Sequence, residues 1–467
     1  MTRRFLKLKN ESLNLSPQDA KVLEALFKSN GYTLITDTDE SEEWTSKLEQ
    51  DAKGKIKQTN NNCTLVMEND SLLAGAIKKN ELSGGIDIVK DLGWNRNGKS
   101  LTDTDIDNII IYLERNYDLH VDRMIERAIR VVANQNSYNP IKDMLNGLKW
   151  DGKPRLEKAL SHFLGVEKTP INIEALKLFM FGAIERVFNP GCKFEYMLCL
   201  VGGQGAGKST FLRFLAMYDN WFCDDIKQLS DKEVFEKLQG HWIIEMPEMT
   251  AILHAKYVED TKAFLSRLSD TYRAPYDKYA QDHPRICVFA GSSNTIQFLP
   301  HDKSGNRRFI PIEVHMEKAE THILENENES RYYFAQMWAE AMEIYRSGNY
   351  KLAFTKELQK ELVRLQSKYT PEDPMETAIL NFIEENQPEY VCAKMLYVEA
   401  LGNSPYSSTA SWESKAIGEI MNQKCPDYRN IASHVFKDYG KQRAWVNTKK
   451  PDFKPITDDE EKELPFK

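Results

Sequence analysis

The chain has 467 residues and a formal net charge of −8, with 41% hydrophobic and 28% charged residues. That length gives room for about three domains, and the acidic balance excludes nucleic-acid binding over the whole surface, leaving local basic stripes to be sought. Apolar runs such as Tyr196–Val201 fall far short of the roughly 20 residues a membrane helix needs, so no membrane association is expected. The N-terminus is basic without an apolar stretch behind it, so no secretory signal is expected. The 7 cysteines form no C-x-x-C pair and are expected to be reduced thiols in a cytoplasm.

In chain order, residues 1–149 read as an α-rich N-terminal region. Helices are predicted at Pro17–Ser29, Thr64–Lys79, Thr102–Tyr117 and Val121–Asn136, with a short strand at Gly85–Lys90. Asp103 and Asp105 open the third of these helices, where acids favour the dipole. Trp150-Asp-Gly-Lys-Pro-Arg155 is a turn and helix start, and a helix follows at Ile173–Phe188, stopped by Asn189-Pro190-Gly191. Residues 150–350 change to strands alternating with helices, the signature of an α/β sheet. Strands are predicted at Tyr196–Val201, Trp242–Glu245, Arg285–Ala290 and Phe309–Val314. Helices follow at Tyr332–Tyr345 and Thr355–Lys368, and residues 351–373 form a helical linker. Residues 374–467 read as a small module of two helices, Pro374–Glu385 and Ser411–Gln423, and a basic hairpin, Arg429–Val446.

Gly202-Gly203-Gln204-Gly205-Ala206-Gly207-Lys208-Ser209 fits G-x-x-x-x-G-K-[ST], and Thr210 continues it into a helix predicted to run to Met217. Such glycines let several backbone N–H groups turn toward phosphate oxygens, and the helix start adds its positive dipole end. In this reading Lys208 reaches the β and γ phosphates of ATP and the Ser209 hydroxyl binds Mg²⁺. Such a site also needs a metal-site acid and a group that positions water. Glu245, ending an apolar strand, is the candidate acid, and Glu248, beyond Pro247, the candidate base. Solvated glutamates at a sheet edge are the alternative. Asn294 follows the next strand, where its amide could bond the γ-phosphate or its water. Arg307 and Arg308 stand directly before a further strand, either as surface ion-pairing groups or as an arginine finger.

Trp150–Arg155, the glycine loop, Glu245-x-x-Glu248, Tyr272-Arg-Ala-Pro-Tyr276, Ser293-Asn294 and Gly305-Asn-Arg-Arg-Phe309 together resemble the virulence-associated protein E family of phages and bacterial mobile islands. The resemblance spans roughly residues 60–350, and Asn80-Glu-Leu-Ser-Gly84 also fits it. That family's ATPase core is similar to superfamily III helicases and poxvirus-type primase-helicases, within the AAA+ class. The resemblance implies a P-loop parallel sheet with flanking helices, a hexameric ring with ATP sites at subunit interfaces, and movement on single-stranded or origin DNA beside other replication proteins in a bacterial host. It makes Lys208 and Ser209 the Walker A pair, Glu245 a Walker B acid, Asn294 the sensor and Arg307 or Arg308 the finger. Many superfamily III proteins carry two adjacent acids where this chain has Glu245-Met246, so the choice of base stays open. The first 150 residues show no acidic triad for primer synthesis.

Two stretches could meet DNA. Lys262–Arg267 and Tyr272–Tyr279 alternate basic and aromatic residues, including Arg273 and Lys278, as a backbone-tracking groove requires; superfamily III relatives carry their pore hairpin in this interval. Alternatively the tyrosines pack in the core while Arg273 pairs with an acid. Phe436–Lys450 holds Lys441, Arg443, Lys449 and Lys450 with Trp445 between them, and with the preceding helices resembles a winged-helix module; a solvated basic hairpin would look the same. The expected function is an ATP-dependent DNA helicase or translocase. The alternative is a P-loop ATPase that regulates or loads a protein partner.

Overall fold

The structure is a computed structural model that describes residues 4–6, 32–34, 44–226, 234–249, 258–273, 279–300 and 306–450. The predicted helix Pro17–Ser29 and the sites Lys278 and Gly305 lie outside them. The chain divides into two compact units. One comprises Met1–Ile252, Glu259–Asn294 and Arg308–Gln359; the other comprises Leu253–Val258, Thr295–Arg307 and Lys360–Lys467.

In the first unit, α1 (Asn60–Asn69), α2 (Asp103–Tyr117) and α3 (Asp122–Gln135) pack around a hairpin of β1 (Ile77–Lys79) and β2 (Ile86–Ile88). Their shared core includes Val66, Met67, Ile77, Ile109, Leu113, Ile129 and Val132. The helix expected over Thr64–Lys79 ends at Asn69, and its last three residues form β1. The cause is Asp70, whose buried carboxylate accepts the Leu72 and Leu73 N–H groups and the Tyr112 and Tyr117 hydroxyls. That turn draws the chain out of the helix before periodicity alone would end it. Asp105 serves the N-terminus of α2 as expected: it closes a capping box with Thr102 and pairs with Arg96 at 2.7 Å.

Next come α4 (Pro140–Gly147), α5 (Ala159–Leu164) and α6 (Pro170–Phe188). Helix α6 starts on the Thr169 cap with Pro170 in its first turn and is buried on most sides. Gly182 allows the close approach of Phe194, whose ring would lie 2.3 Å from an added Cβ. The Trp150–Arg155 turn docks on α10 (Glu327–Arg346), where Gln336 accepts the Asp151 N–H and Glu340 the Leu156 N–H.

The core sheet is built of β3 (Met197–Val201), β4 (Phe222–Cys223), β5 (Ile243–Met246), β8 (Val288–Ser293) and β9 (Phe309–Glu313), in the order β9-β3-β8-β5-β4. Every pairing in it is parallel. Helix α7 (Lys208–Leu215) follows β3, and α8 (Val234–Leu238) and α9 (Val258–Leu265) flank β5 in sequence. The first four strands of the order are buried almost throughout, as a sheet covered by helices on its faces requires. The Trp242 indole donates to Ala183 of α6 and packs against Trp338 of α10 at 4.5 Å between ring centres. Between α9 and β8 in sequence, β6 (Ser269–Tyr272) pairs antiparallel with β7 (Gln281–Pro284) as a separate two-stranded sheet. Strand β8 runs to Ser293, three residues past the predicted end at Ala290.

In the second unit, α12 (Pro374–Asn386) and α13 (Ser411–Lys424) pack on an antiparallel sheet of β10 (Tyr390–Cys392), β11 (Tyr428–Phe436) and β12 (Gly440–Asn447), ordered β10-β12-β11. Ile379, Val391, Leu396, Ile417, Met421 and Trp445 form its core. Strand β10 is too short and isolated to have been read as a strand. The helix Lys356–Lys368, α11, precedes this module, and the Gln366 amide donates to the Asn306 carbonyl.

Candidate functional site

The residues of interest gather where the parallel strands end. Register pairs Ser293 of β8 with Val201 of β3, and Ala290 of β8 with Glu245 of β5, so the three strands deliver their C-terminal ends to one edge. Ligands of open α/β sheets bind at this edge. The loop 202–207 leaves β3 there and feeds α7, with Gly205 and Gly207 at φ of 79° and 73°. Both values lie in the left-handed region that glycine enters without steric cost. Gly202 is required by crowding instead, because an added Cβ would sit 2.8 Å from the Val314 carbonyl oxygen.

Lys208 is buried and its ammonium donates to the Gly202 and Gly203 carbonyls at 2.8 and 2.7 Å and to Asn294 Oδ1 at 3.0 Å. Burial lowers its pKa, opposed by the charge of Glu245. Glu245 is fully buried, and its Oε1 accepts the Ser209 hydroxyl at 2.7 Å and the Ser292 hydroxyl. Burial raises its pKa, and the two hydroxyls work against that rise. Its other oxygen, Oε2, is buried without a hydrogen-bond partner.

Glu248 is exposed beyond Pro247, with φ at 50°, a left-handed conformation uncommon for a residue bearing a side chain. Gln204, Ala206, Thr210, Glu248, Ser292 and Asn294 join Lys208 and Ser209 around a cavity of about 370 Å³. The segment His322–Leu324 forms a further part of the wall. Ser292 and this wall were not anticipated. Ser292 sits in what reads as a Gly-Ser-Ser turn after an apolar strand, and His322–Leu324 open a stretch that reads as an acidic lead-in to a helix.

A divalent cation fits this chemistry. The Ser209 hydroxyl lines the cavity of the glycine loop and donates to Glu245, a buried carboxylate with one unpartnered oxygen. Magnesium typically takes one or two protein ligands and completes its shell from substrate phosphates and water. Among the described residues no group of three or more His, Cys, Asp or Glu side chains could hold a metal alone.

The two arginines differ. Arg308 is half-buried and its Nε donates to Glu195 at 3.1 Å and to Ser266 at 3.0 Å, an ion pair within the chain. Arg307 is exposed and falls in the second unit.

The expected DNA-contacting residues are spread across both units. Arg273 is exposed at the start of the β6–β7 loop. Tyr272 stacks on His283 with ring centres 4.0 Å apart, which makes it part of the hairpin's packing, and Lys262 is buried. At the base of the hairpin Asp270 and Arg285 form a buried bidentate pair, with the second contact at 2.8 Å. In the second unit Lys441 and Arg443 are exposed on β12, Arg443 donating to Asn430. Lys449 pairs with Asp427 at 2.7 Å. Trp445 is a core residue whose indole donates to Asn422 at 2.7 Å.

An α/β sheet with flanking helices and a glycine-loop cavity at its strand ends thus defines the class of protein. Within it, residues 145–371 match the model of the virulence-associated protein E-like domain. Among solved structures the chain is similar to the A-form apo structure of the NrS-1 C-terminal region, with 14% identity, a TM-score of 0.47, and 79% of this chain and 96% of that chain covered. A further apo structure of the same NrS-1 region gives 14% identity and a TM-score of 0.46, over 79% of this chain and 95% of that one. No curated protein matches the chain. No helix among the described residues is long and apolar enough to cross a membrane.

Proposed function

We propose that the chain is a P-loop ATPase of the AAA+, superfamily III type that translocates on or unwinds DNA. The observation that carries the reading is that Lys208, Ser209 and Asn294 line one cavity formed by a glycine loop at the ends of parallel strands, and that Ser209 in turn donates to the buried Glu245. The loop N–H groups and the start of α7 offer positive potential to phosphate oxygens. The Lys208 ammonium rests on neutral oxygens, which a β or γ phosphate would outcompete as a charged acceptor. Ser209 and Glu245 would hold Mg²⁺, whose charge screens the phosphates as the γ-phosphoryl group leaves. Glu248 stands on the same cavity at the end of a strained turn, suited to orient a water and take its proton. Asn294, already on Lys208, is the sensor of the γ-phosphate. The finger candidates remain Arg307, which is exposed, and Arg308, which pairs with Glu195.

For DNA, the β6–β7 hairpin with Arg273 and Lys278 on its loop is the proposed pore element. The second unit, with Lys441, Arg443 and Lys449, is proposed as a winged-helix module in which helices and the β11–β12 hairpin face the duplex. Assembly into a ring would let Arg307 reach a neighbour's site.

The test is ATP hydrolysis by the intact chain and by Lys208→Ala. The reading expects Mg²⁺-dependent turnover that falls by about 100-fold or more in the variant, the scale set by losing a charge aimed at the transition state. Undiminished turnover in Lys208→Ala would remove the site from consideration. Turnover that depends on Lys208 yet ignores DNA would favour an ATPase directed at a protein partner.

A further inference from the structure

The phosphate end of the cavity has its residues, but the wall His322–Leu324 has no part in the scheme above. This wall is a tight turn built to keep its shape. The His322 carbonyl accepts the Glu325 N–H at 2.9 Å, and its imidazole Nδ1 accepts the Leu324 N–H at 3.2 Å. That second bond makes Nδ1 an acceptor and puts the ring proton of the neutral imidazole on Nε2. Ile323 is buried, with Cγ2 3.7 Å from where a Cβ on Gly207 would lie, so the turn is seated directly against the glycine loop. The segment before it is tied down by the Glu320 and Thr321 N–H groups, both donating to the His162 carbonyl.

The two side chains flanking Ile323 are exposed. Leu324 leaves 48% of its surface in solvent beside a cavity whose other walls are mostly glycines, hydroxyls, amides and charged groups, with Ala206, Pro247 and Ile323 as the other apolar residues. Lys208 and Asn294 mark the polar end, so a ligand with a charged tail and a flat apolar head would lie with its head on this turn. From His322 to Leu324 the turn carries no carboxamide or carboxylate to read the edge of a base. Every nucleobase presents the same kind of π face, so contact of this sort is tolerant of base identity.

We propose, resting on the nucleotide reading of the cavity, that the segment His322–Leu324 is the platform for the nucleobase, with Leu324 and His322 supplying its faces. The platform holds bases by stacking and selects weakly among them.

The experiment is steady-state hydrolysis of ATP, GTP, CTP and UTP by the full chain, with inorganic tripolyphosphate as a competing inhibitor that has no base. The four nucleotides are expected to agree in kcat/KM within about 5-fold, since no hydrogen-bond readout separates them. Leu324→Ala is expected to raise KM about 5- to 10-fold for all four with little change in kcat, the pattern of lost uniform binding. Leu324→Met, which keeps an apolar face, should stay near the parent. Tripolyphosphate inhibition should be the same in all three proteins.

An unchanged KM in Leu324→Ala would overturn the platform, as would a strong preference for one base. Equal weakening of tripolyphosphate would show that the turn only props up the glycine loop. A parent chain that is neither active on nucleotides nor inhibited by tripolyphosphate would instead defeat the nucleotide reading itself, and the platform with it.

Discussion

Glu245 is a carboxylate placed where the fold alone gains nothing from it. Burial raises its pKa above the ordinary 4.5, and the Ser292 and Ser209 hydroxyls only partly oppose the rise. The folded state therefore binds the proton more tightly than the unfolded state does. Between the unfolded and folded values the folded chain holds more protons, so stability falls as pH rises through that interval and stays lower above it. Glu245→Gln keeps an oxygen to accept both hydroxyls and removes the buried charge. We expect it to melt at or above the parent temperature near about pH 8, with the gap closing toward about pH 4, while hydrolysis is lost. Melting curves at both pH values check this; a variant less stable than the parent throughout would mean the carboxylate is a structural anchor. Lys208 and Ser209 could be located from sequence because fixed spacing carries their chemistry. Ser292 could not, because Gly291-Ser-Ser-Asn294 has the composition of a turn and only the pairing of Ser293 with Val201 shows that the strand continues.

At the scale of elements, the hairpin β6–β7 depends on one buried pair. Asp270 and Arg285 are both almost wholly removed from solvent, and Arg285 also donates to the Phe264 carbonyl and lies over the Phe264 ring at 4.3 Å. Removing one partner leaves the other charge buried and uncompensated. Asp270→Ala should therefore cost about 3–5 kcal/mol, whereas replacing both residues by apolar ones of similar volume should cost much less. Chemical denaturation of the single and double variants tests the difference; equal losses would place the cost in packing. The strand–loop–helix of the core was legible because apolar strands, glycines and helix caps all agree there. The β1 strand was misread because Ile77–Lys79 continues a helical pattern that only the Asp70 side chain interrupts. The buried Asp270–Arg285 pair was likewise hidden, since a charged residue at a strand end usually signals exposure.

For the whole molecule, the account assigns ATP chemistry to the first unit and DNA contacts to both. If Arg307 acts across a subunit boundary, Arg307→Ala and Lys208→Ala should each be inactive alone. Mixed, they should regain part of the parent rate at hybrid interfaces that pair an intact Lys208 with an intact Arg307. A mixing series with no recovery at any ratio would argue against a shared site. The family resemblance was readable because six short motifs occur in order between residues 150 and 309.

The central claim is a motor in which DNA binding and ATP turnover are coupled, and the most direct measurement is Mg²⁺-dependent ATP hydrolysis by the purified chain with and without single-stranded DNA across a salt series. The account predicts a several-fold stimulation by DNA that fades as salt rises, because phosphate contacts release counterions on binding. Hydrolysis that is robust and the same with or without DNA at every salt concentration would contradict it.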